Sequence, residues 1–192
     1  AELIKHASNS FLAMKISYAN ALAAVCEKAG ASVTDVVRGM GMDPRIGASF
    51  LNAGIGYGGS CFPKDVAAFE SLSRDLGYDF GLLREVMRVN QEACDRFLKK
   101  VEEELWIVKG KTIAAFGLSF KPDTDDLRES VALKVVRGLA ERGAKIRAYD
   151  PQAMEKARPA LPEGVTFCTG PYEAAHGADC ALLLTEWAVF RE

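Results

Sequence analysis

The stretch Thr112-Ile113-Ala114-Ala115-Phe116-Gly117-Leu118 decides the fold, because a short apolar run of this kind predicts a strand buried on both faces. Further along the chain, three more strands are predicted at intervals that leave room for helices: Lys145–Asp150, Val165–Phe167 and Cys180–Thr185. Strands that alternate with helices predict an α/β domain with a doubly wound parallel sheet. Ligands of such sheets bind at the carboxyl ends of the strands.

Helices are predicted on both sides of the first strand. Between the first two strands, Asp126 with Glu129 three residues later predicts a capped helix that ends at Gly143 and holds Arg128 in its first turn. A short helix is also predicted over Pro171–His176. Before the sheet, the helical spacing of apolar residues predicts three helices, over Glu2–Ala29, Pro63–Leu76 and Leu82–Leu105. A fourth, short helix is predicted after Ser32, which would cap it, and ends by Met40. We therefore predict a helical region over residues 1–108 and a Rossmann-like sheet domain over residues 109–192.

Composition narrows the class of protein. Of the 192 residues 49% are apolar, and 24 basic against 26 acidic residues leave no positive excess that would predict nucleic-acid binding. No apolar run approaches the roughly 18 residues that predict a membrane span. The five cysteines contain no CxxC pair, which favours a reducing cytoplasm and predicts neither disulfides nor a metal site. The chain has no initial Met and ends just after a predicted strand, so we expect a fragment of a longer protein.

The segment Gly56–Asp65 holds the candidate nucleophile. Cys61 ends a glycine-rich loop directly before a predicted helix, whose first position suits Pro63. Unpaired backbone N–H groups, the positive end of the helix dipole and Lys64 would favour thiolate over thiol. A lone cysteine is usually buried or incidental, but this setting makes Cys61 a candidate catalytic residue. Asp65 could activate water beside it or merely complement the helix N-terminus.

The same loop contains the pattern G-x-G-x-x-G, from Gly54 to Gly59. That pattern marks a dinucleotide site only between a strand and a helix. Upstream, Arg45–Phe50 predicts a helix end and a loop, and downstream Pro63 delays the helix beyond the last glycine. We therefore predict that these glycines let the backbone approach a ligand closely and that they do not bind a dinucleotide.

Other polar positions are weaker candidates when judged by spacing alone. Lys5 and Asn9 share one face of the first helix, where a solvated surface pair is the plainer interpretation. Lys121 would project from a strand's carboxyl end, so phosphate binding competes there with local ion pairing that involves Arg128. Neither histidine has a cluster of possible ligands nearby in the sequence, and both are predicted to be structural or exposed: His6 and His176.

Six segments of the chain carry a resemblance to one known family: Ala1-Glu2-Leu3-Ile4-Lys5 with Asn9, Asp43–Gly47, Gly56–Asp65, Phe116–Thr124 with Arg128-Glu129-Ser130, Tyr149-Asp150-Pro151 and Thr185-Glu186-Trp187. Taken together and in this order, they resemble the UDP-glucose 6-dehydrogenases of the UDP-glucose/GDP-mannose dehydrogenase family over essentially the whole chain. The choice of UDP-glucose rests mainly on the tyrosine and the Ser-Cys-Phe-Pro-Lys-Asp of the cysteine loop, since relatives that act on UDP-N-acetylmannosamine usually carry a histidine before the cysteine.

The resemblance implies that NAD oxidises the sugar C6 alcohol to a carboxylate in two hydride transfers. Cys61 would add to the C6 aldehyde, and the second transfer would leave a thioester for water to hydrolyse. The chemistry agrees, because a thiohemiacetal carbon can lose hydride whereas a bare aldehyde carbon cannot. Lys5 and Asn9 would stabilise the developing charge on the C6 oxygen, and Asp65 would position or activate the hydrolytic water.

The resemblance also implies partners. Arg45 would reach the substrate of a neighbouring subunit in a homodimer built on the first long helix, and Arg128 together with Cys61 would touch NAD. The family's N-terminal NAD-binding domain is missing from this chain, so we predict that the chain alone is inactive. The UDP-glucose site would be lined by Asn52, Tyr57, Gly58, Phe120 and Lys121.

Three alternatives stay open at this point. The first is the same chemistry on another nucleotide sugar, GDP-mannose or UDP-N-acetylmannosamine. The second is a non-catalytic module for nucleotide-sugar binding and dimerisation, although such a module needs no nucleophile. The third is a thiol acyltransferase that uses Cys61, although no general-base histidine lies in the neighbouring sequence.

Overall fold

The chain folds as two units that follow one another. The computed structural model describes residues 2–191. Ala1, the first residue of the predicted helical region, and Glu192, the last residue of the predicted sheet domain, lie outside the described residues. The units are Ala1–Ala93 and Cys94–Glu192. No helix within 2–191 is both long and apolar enough to cross a membrane.

The first unit is helical, as predicted. The short helix α2 begins after Ser32, whose hydroxyl accepts a hydrogen bond from the backbone N–H of Asp35 at 3.2 Å, as in a capping box. Its apolar core joins α1, α3 and α4 and also includes the buried side chain of Tyr57 from the loop before α3. The four helices are α1 (Glu2–Ala29), α2 (Val33–Gly41), α3 (Phe62–Asp75) and α4 (Gly81–Leu105), the last of which continues into the second unit.

The second unit contains the predicted parallel sheet. Four strands lie in the order β3-β2-β1-β4, and every neighbouring pair is parallel. The strands are β1 (Thr112–Phe116), β2 (Lys145–Tyr149), β3 (Thr166–Phe167) and β4 (Cys180–Leu183). The helices between them are α5 (Val131–Glu141), α6 (Met154–Ala157) and α7 (Pro171–Ala175). This arrangement confirms the α/β fold class.

The strand order reverses beside β1. From β1 the chain moves outward through β2 to β3 and then returns to the other side of β1, where Ile113 pairs with Cys180 of β4. In open sheets of this kind, ligands bind at the carboxyl ends of the strands next to such a reversal. Here that edge carries the residues that follow β1 and β4, including Ser119 and Thr185, whose hydroxyl donates to the Ser119 carbonyl at 2.6 Å.

A buried carboxylate, Asp150 at the end of β2, holds this edge together. Both oxygens accept hydrogen bonds, at 2.6–3.2 Å, from groups that follow three different strands. The donors are the backbone N–H groups of Leu118, Ser119, Gln152 and Ala153 and the indole Nε1 of Trp187. Since each donor is satisfied by a charged acceptor, these bonds are stronger than neutral ones.

The start of α5 differs from the prediction. Ser130, and not Asp126, is the N-cap residue. The Asp126 carboxylate instead accepts from the backbone N–H of Arg128 at 2.9 Å and from its guanidinium at 2.7 Å, so Arg128 lies before the helix and not in its first turn. Glu129 has a positive φ of 50°, which interrupts a right-handed helix. The predicted capping pair therefore forms a turn instead.

Asp150→Ala should destabilise the chain by at least about 3 kcal/mol, because each buried donor left unpaired costs about 1–3 kcal/mol. The free energy of unfolding can be measured in urea by circular dichroism. Asp125→Ala is the matched control, since Asp125 makes an exposed pair with Lys156 and should change stability by less than about 1 kcal/mol. Equal losses for the two variants would contradict the role assigned to Asp150.

Candidate active site

Cys61 occupies the position that the sequence predicted, at the N-cap of α3. Its carbonyl accepts the backbone N–H of Asp65 at 2.8 Å, and its Sγ lies 3.7 Å from the hydroxyl of Ser60. The thiol is exposed, whereas three of the other cysteines are buried and Cys180 is half-buried. All five are free thiols. Cys61 is therefore the cysteine most open to a reaction partner.

Two asparagines fix the glycine-rich loop that leads to Cys61. Asn20, buried in α1, accepts the backbone N–H of Gly54 at 2.7 Å. Asn90 of α4 accepts the N–H of Tyr57 at 2.7 Å and donates to its carbonyl at 3.0 Å. Gly56 has a φ of +116°, and a Cβ there would come within 3.1 Å of Asn90. Sequence analysis missed both asparagines, because their role depends on a loop that is distant in the chain.

Asp65 is the centre of the candidate site. Its side chain is completely buried at the start of α3 and faces α1. Oδ2 accepts a hydrogen bond from Asn9 Nδ2 at 2.6 Å and lies 3.5 Å from Lys5 Nζ, while Lys64 Nζ lies 3.8 Å from Oδ1. The structure thus brings Asp65 next to Lys5 and Asn9, the pair that the sequence placed on one face of the first helix.

Opposing effects set the charge of Asp65. Burial raises the pKa of its carboxyl group, because a charged group loses solvation. The hydrogen bond from Asn9 and the positive charges of Lys5 and Lys64 lower it further than burial raises it, so the pKa lies below its usual value. Asp65 is therefore an anion at neutral pH, one helical turn from Cys61.

His6 joins this group, which spacing in the sequence did not indicate. Its ring lies on α1 next to Lys5, and Nδ1 is 3.7 Å from Asp65 Oδ1. Neither of these two buried atoms has a hydrogen-bond partner in the structure. The sequence could not reveal the pair, since the two residues lie on different helices.

The remaining predicted residues of the first unit lie in varied settings. The Tyr57 side chain is buried against Phe62, and burial raises the pKa of its phenol to about 12. Any contact of Tyr57 with a substrate would therefore come from its backbone or after a rearrangement. Arg45 is exposed and paired with Asp43 at 2.6 Å. Asn52 is exposed and Gly58 is half-buried.

Three predicted residues belong to the second unit. Phe120 and Lys121 follow β1 at the carboxyl edge of the sheet, with Lys121 Nζ 5.5 Å from the centre of the Phe120 ring. The buried hydroxyl of Ser119 donates to the Lys121 carbonyl at 2.9 Å and fixes the backbone there. Arg128 is exposed and held by Asp126.

The described residues do not form a dinucleotide-binding turn. Gly54–Gly59 lies in a loop, and within residues 2–191 no strand precedes Thr112, so the G-x-G-x-x-G pattern is not a dinucleotide fingerprint. In the same part of the chain, no three His, Cys, Asp or Glu side chains are placed to hold a metal ion. The candidate site brings together the amide of Asn9, the ammonium group of Lys5 and the buried carboxylate of Asp65, one helical turn from the thiol of Cys61.

Comparison with known families identifies the class of protein. The central domain of the UDP-glucose/GDP-mannose dehydrogenase family matches residues 1–92, and the UDP binding domain of that family matches residues 114–192. The chain therefore belongs to the UDP-glucose/GDP-mannose dehydrogenase family. This result confirms the resemblance.

Individual relatives agree. The chain is 47% identical over 192 residues to UDP-glucose 6-dehydrogenase YwqF of Bacillus subtilis, and 47% identical over 191 residues to a UDP-glucose 6-dehydrogenase of Rhizobium meliloti. These two matches include 100% and 99% of this chain, respectively, and 44% of each relative. The chain thus spans less than half the length of these relatives.

Solved structures have the same fold. A UDP-glucose dehydrogenase from Pyrobaculum islandicum matches with a TM-score of 0.95 and 40% identity, over 98% of this chain and 44% of that one. A UDP-D-ManNAc dehydrogenase from Pyrococcus horikoshii matches with a TM-score of 0.82 and 28% identity, over 100% and 43% of the two chains.

The lowered pKa of Asp65 predicts how stability depends on pH. Because the folded protein keeps Asp65 charged at pH values at which the unfolded chain is protonated, the wild type should gain stability from this charge above about pH 4. That gain should disappear as the pH falls further, through the lower pKa of the folded state. The measurement compares urea unfolding of the wild type and Asp65→Asn from pH 7 to pH 3. A stability difference that grows on acidification would contradict the prediction.

Proposed function

We propose that the full-length protein is an NAD-dependent UDP-glucose 6-dehydrogenase that forms UDP-glucuronate. The observation that carries the proposal is the placement of an exposed thiol, Cys61, one turn before a buried anion that is bound to Asn9 and adjacent to Lys5. A binding module would not need this arrangement. The relatives at 47% identity that bear the name UDP-glucose 6-dehydrogenase support the choice of reaction.

In the proposed mechanism, Arg128 would help to hold NAD, which would supply the hydride acceptor for both oxidation steps at the substrate carbon. Cys61 adds to the C6 aldehyde, which gives a tetrahedral thiohemiacetal from which hydride can leave. Lys5 and Asn9 donate hydrogen bonds to the C6 oxygen as it becomes negative, a type of contact worth about 3–4 kcal/mol of barrier. Water then attacks the thioester, Asp65 positions the water and takes its proton, and the Cys61 thiolate leaves.

The remaining assignments concern recognition. At the carboxyl edge of the sheet, Phe120 and Lys121 are placed where a doubly wound sheet binds nucleotides, and Lys121 offers a cation for the diphosphate. The match of this region to a UDP binding domain supports that role. Asn52 and the backbone of Tyr57 and Gly58 would contact the sugar. Arg128 would contact NAD.

A different nucleotide sugar is the main alternative. The fold alone does not choose between substrates, since a UDP-D-ManNAc dehydrogenase shares it with a TM-score of 0.82. The family is also named after GDP-mannose dehydrogenases. Turnover of UDP-glucose, UDP-N-acetylmannosamine and GDP-mannose by one preparation would decide between them.

The full-length protein should yield two NADH per UDP-glucose, and Cys61→Ser should abolish complete turnover, because a serine cannot supply the thioester. The measurement is the absorbance of NADH at limiting UDP-glucose. Cys180→Ser is the control. Cys180 is the first residue of β4, an edge strand of the sheet in the second unit, so this variant should leave the yield unchanged. One NADH per sugar, or full activity of Cys61→Ser, would contradict the mechanism.

The 192-residue chain alone should form no NADH, because its described part has no dinucleotide fingerprint.

We also propose that the protein is a cytoplasmic homodimer that pairs through α1. Four apolar side chains recur on this helix at a spacing of seven residues, and each is exposed over more than half of its surface: Ile4, Phe11, Tyr18 and Val25. A stripe of this kind on one helix favours burial against a second helix. Arg45 would then be available to the partner's substrate, as it is exposed.

Phe11→Glu combined with Tyr18→Glu should weaken the dimer by more than about 100-fold, because two central apolar contacts would be replaced by charges. Light scattering after gel filtration of the chain gives the mass directly. The control is Tyr172→Glu, which places a charge at an even more exposed aromatic residue in the second unit. A monomeric wild type, or a double variant that stays dimeric, would contradict the proposal.

A further inference from the structure

The two oxygens of the buried Asp65 carboxylate have different surroundings. Oδ2 faces the groups proposed to act on the substrate: it accepts from Asn9 and lies near Lys5. Oδ1 has no hydrogen bond, although it is buried. A carboxylate held at one oxygen only can rotate about its Cβ–Cγ bond, which would move Oδ2 away from Asn9. The orientation of Asp65 therefore depends on what holds Oδ1.

His6 is placed to hold that oxygen. Its Nδ1 is buried, lacks a hydrogen-bond partner and lies 3.7 Å from Oδ1. Buried polar atoms are nearly always paired, and one left unpaired is costly. A small movement of either side chain would bring Nδ1–H and Oδ1 to hydrogen-bond distance and satisfy both atoms. Catalytic hydrogen bonds are often long without substrate and shorten when it binds.

Lys64 is a weaker candidate for the same task. Its Nζ is 3.8 Å from Oδ1, but its side chain is 70% exposed, compared with 23% for His6. An exposed lysine is mobile and well solvated, so it contributes charge without fixing a direction. The imidazole ring is rigid and mostly enclosed, and its Nδ1 is separated from the backbone by few bonds.

We propose that His6 is a positioning residue, whose Nδ1–H donates to Asp65 Oδ1 and thereby presents Oδ2 to Asn9, Lys5 and the hydrolytic water. The step affected is thioester hydrolysis, in which water adds to the carbonyl carbon, Asp65 takes the proton of that water and the Cys61 thiolate leaves. The catalytic consequence rests on the proposed dehydrogenase function, whereas the contact itself does not.

Three substitutions in the full-length protein separate this role from a purely structural one. In His6→Asn the amide Nδ2 replaces Nδ1, so a donor stays at the same place. In His6→Gln the donor is displaced towards the position of Nε2, and His6→Leu has a similar volume and no donor. His176→Asn is the control for loss of a histidine, since His176 is exposed in the second unit.

Rapid mixing with NAD and UDP-glucose distinguishes the chemical steps. His6→Leu and His6→Gln should show a first burst of two NADH per site, because their hydrolysis step is slowed, and their steady-state rate should fall about tenfold, a small part of the roughly 10²–10⁴-fold that a general base contributes. Hydroxylamine should restore turnover, because its nitrogen attacks the accumulated thioester and releases the Cys61 thiolate. His6→Asn should recover most of the wild-type rate.

Each other result overturns one specific statement. If His6→Asn is as slow as His6→Leu, or if His6→Leu turns over like the wild type, His6 does not position Asp65. If the wild type forms no NADH from UDP-glucose, the proposed function is wrong, and a crystal structure of the full-length protein then decides the contact. A distance from Nδ1 to Oδ1 of 3.2 Å or less would support the pairing, and a ring turned away from Asp65 would overturn it.

Discussion

Complete burial of the Asp65 carboxylate is the constraint on which the candidate site depends. A buried anion is tolerated only where hydrogen bonds and opposite charges replace its water. Asn9 and Lys5 provide these from α1, and Lys64 adds charge from the same helix as Asp65. The same contacts fix α3 against α1, so that the start of α3, and with it Cys61, has a defined position relative to Lys5 and Asn9. The groups that stabilise the fold here are those proposed for the chemistry.

The second unit uses a buried carboxylate in a different way. Asp150 accepts four hydrogen bonds from backbone N–H groups and others from the Trp187 indole and the Ser119 hydroxyl, and it makes no ion pair with a lysine or arginine among the described contacts. It fixes the turns that follow the strands, including the one that leads to Phe120 and Lys121. Asp150 thus shapes the edge of the sheet at which a nucleotide would bind, while Asp65 belongs to the proposed reaction centre.

Regular elements could be predicted from the sequence because their signals are local. The apolar run of β1, the periodicity of α1 and the proline at the start of α3 each lie within one segment, and the structure confirms these elements, with α3 beginning at Phe62, one residue before the predicted Pro63. The predicted start of α5 was wrong because an aspartate such as Asp126 is typical both of a helix N-cap and of a turn. The positive φ of Glu129 prevents a helix there, so Asp126 forms the turn and Ser130 caps the helix.

The candidate site could be predicted only in part, for a related reason. Cys61 stands out by its neighbours in the chain, and the resemblance to a family supplied Lys5, Asn9 and Asp65. The proximity of His6 to Asp65 depends on how two helices pack, which no spacing encodes. The contacts of Asn20 and Asn90 are of the same kind, since each side chain meets a loop far along the chain.

Asn90 makes the cysteine loop unusually sensitive to a very small chemical change. Its amide both accepts from and donates to the backbone of Tyr57, as a strand partner would. An aspartate has almost the same shape, but it would place a second acceptor opposite the Tyr57 carbonyl and turn attraction into repulsion. A change at Asn90 would therefore reach the cysteine through the loop that Asn90 supports, even though that position touches neither the thiol nor the buried carboxylate in any described contact.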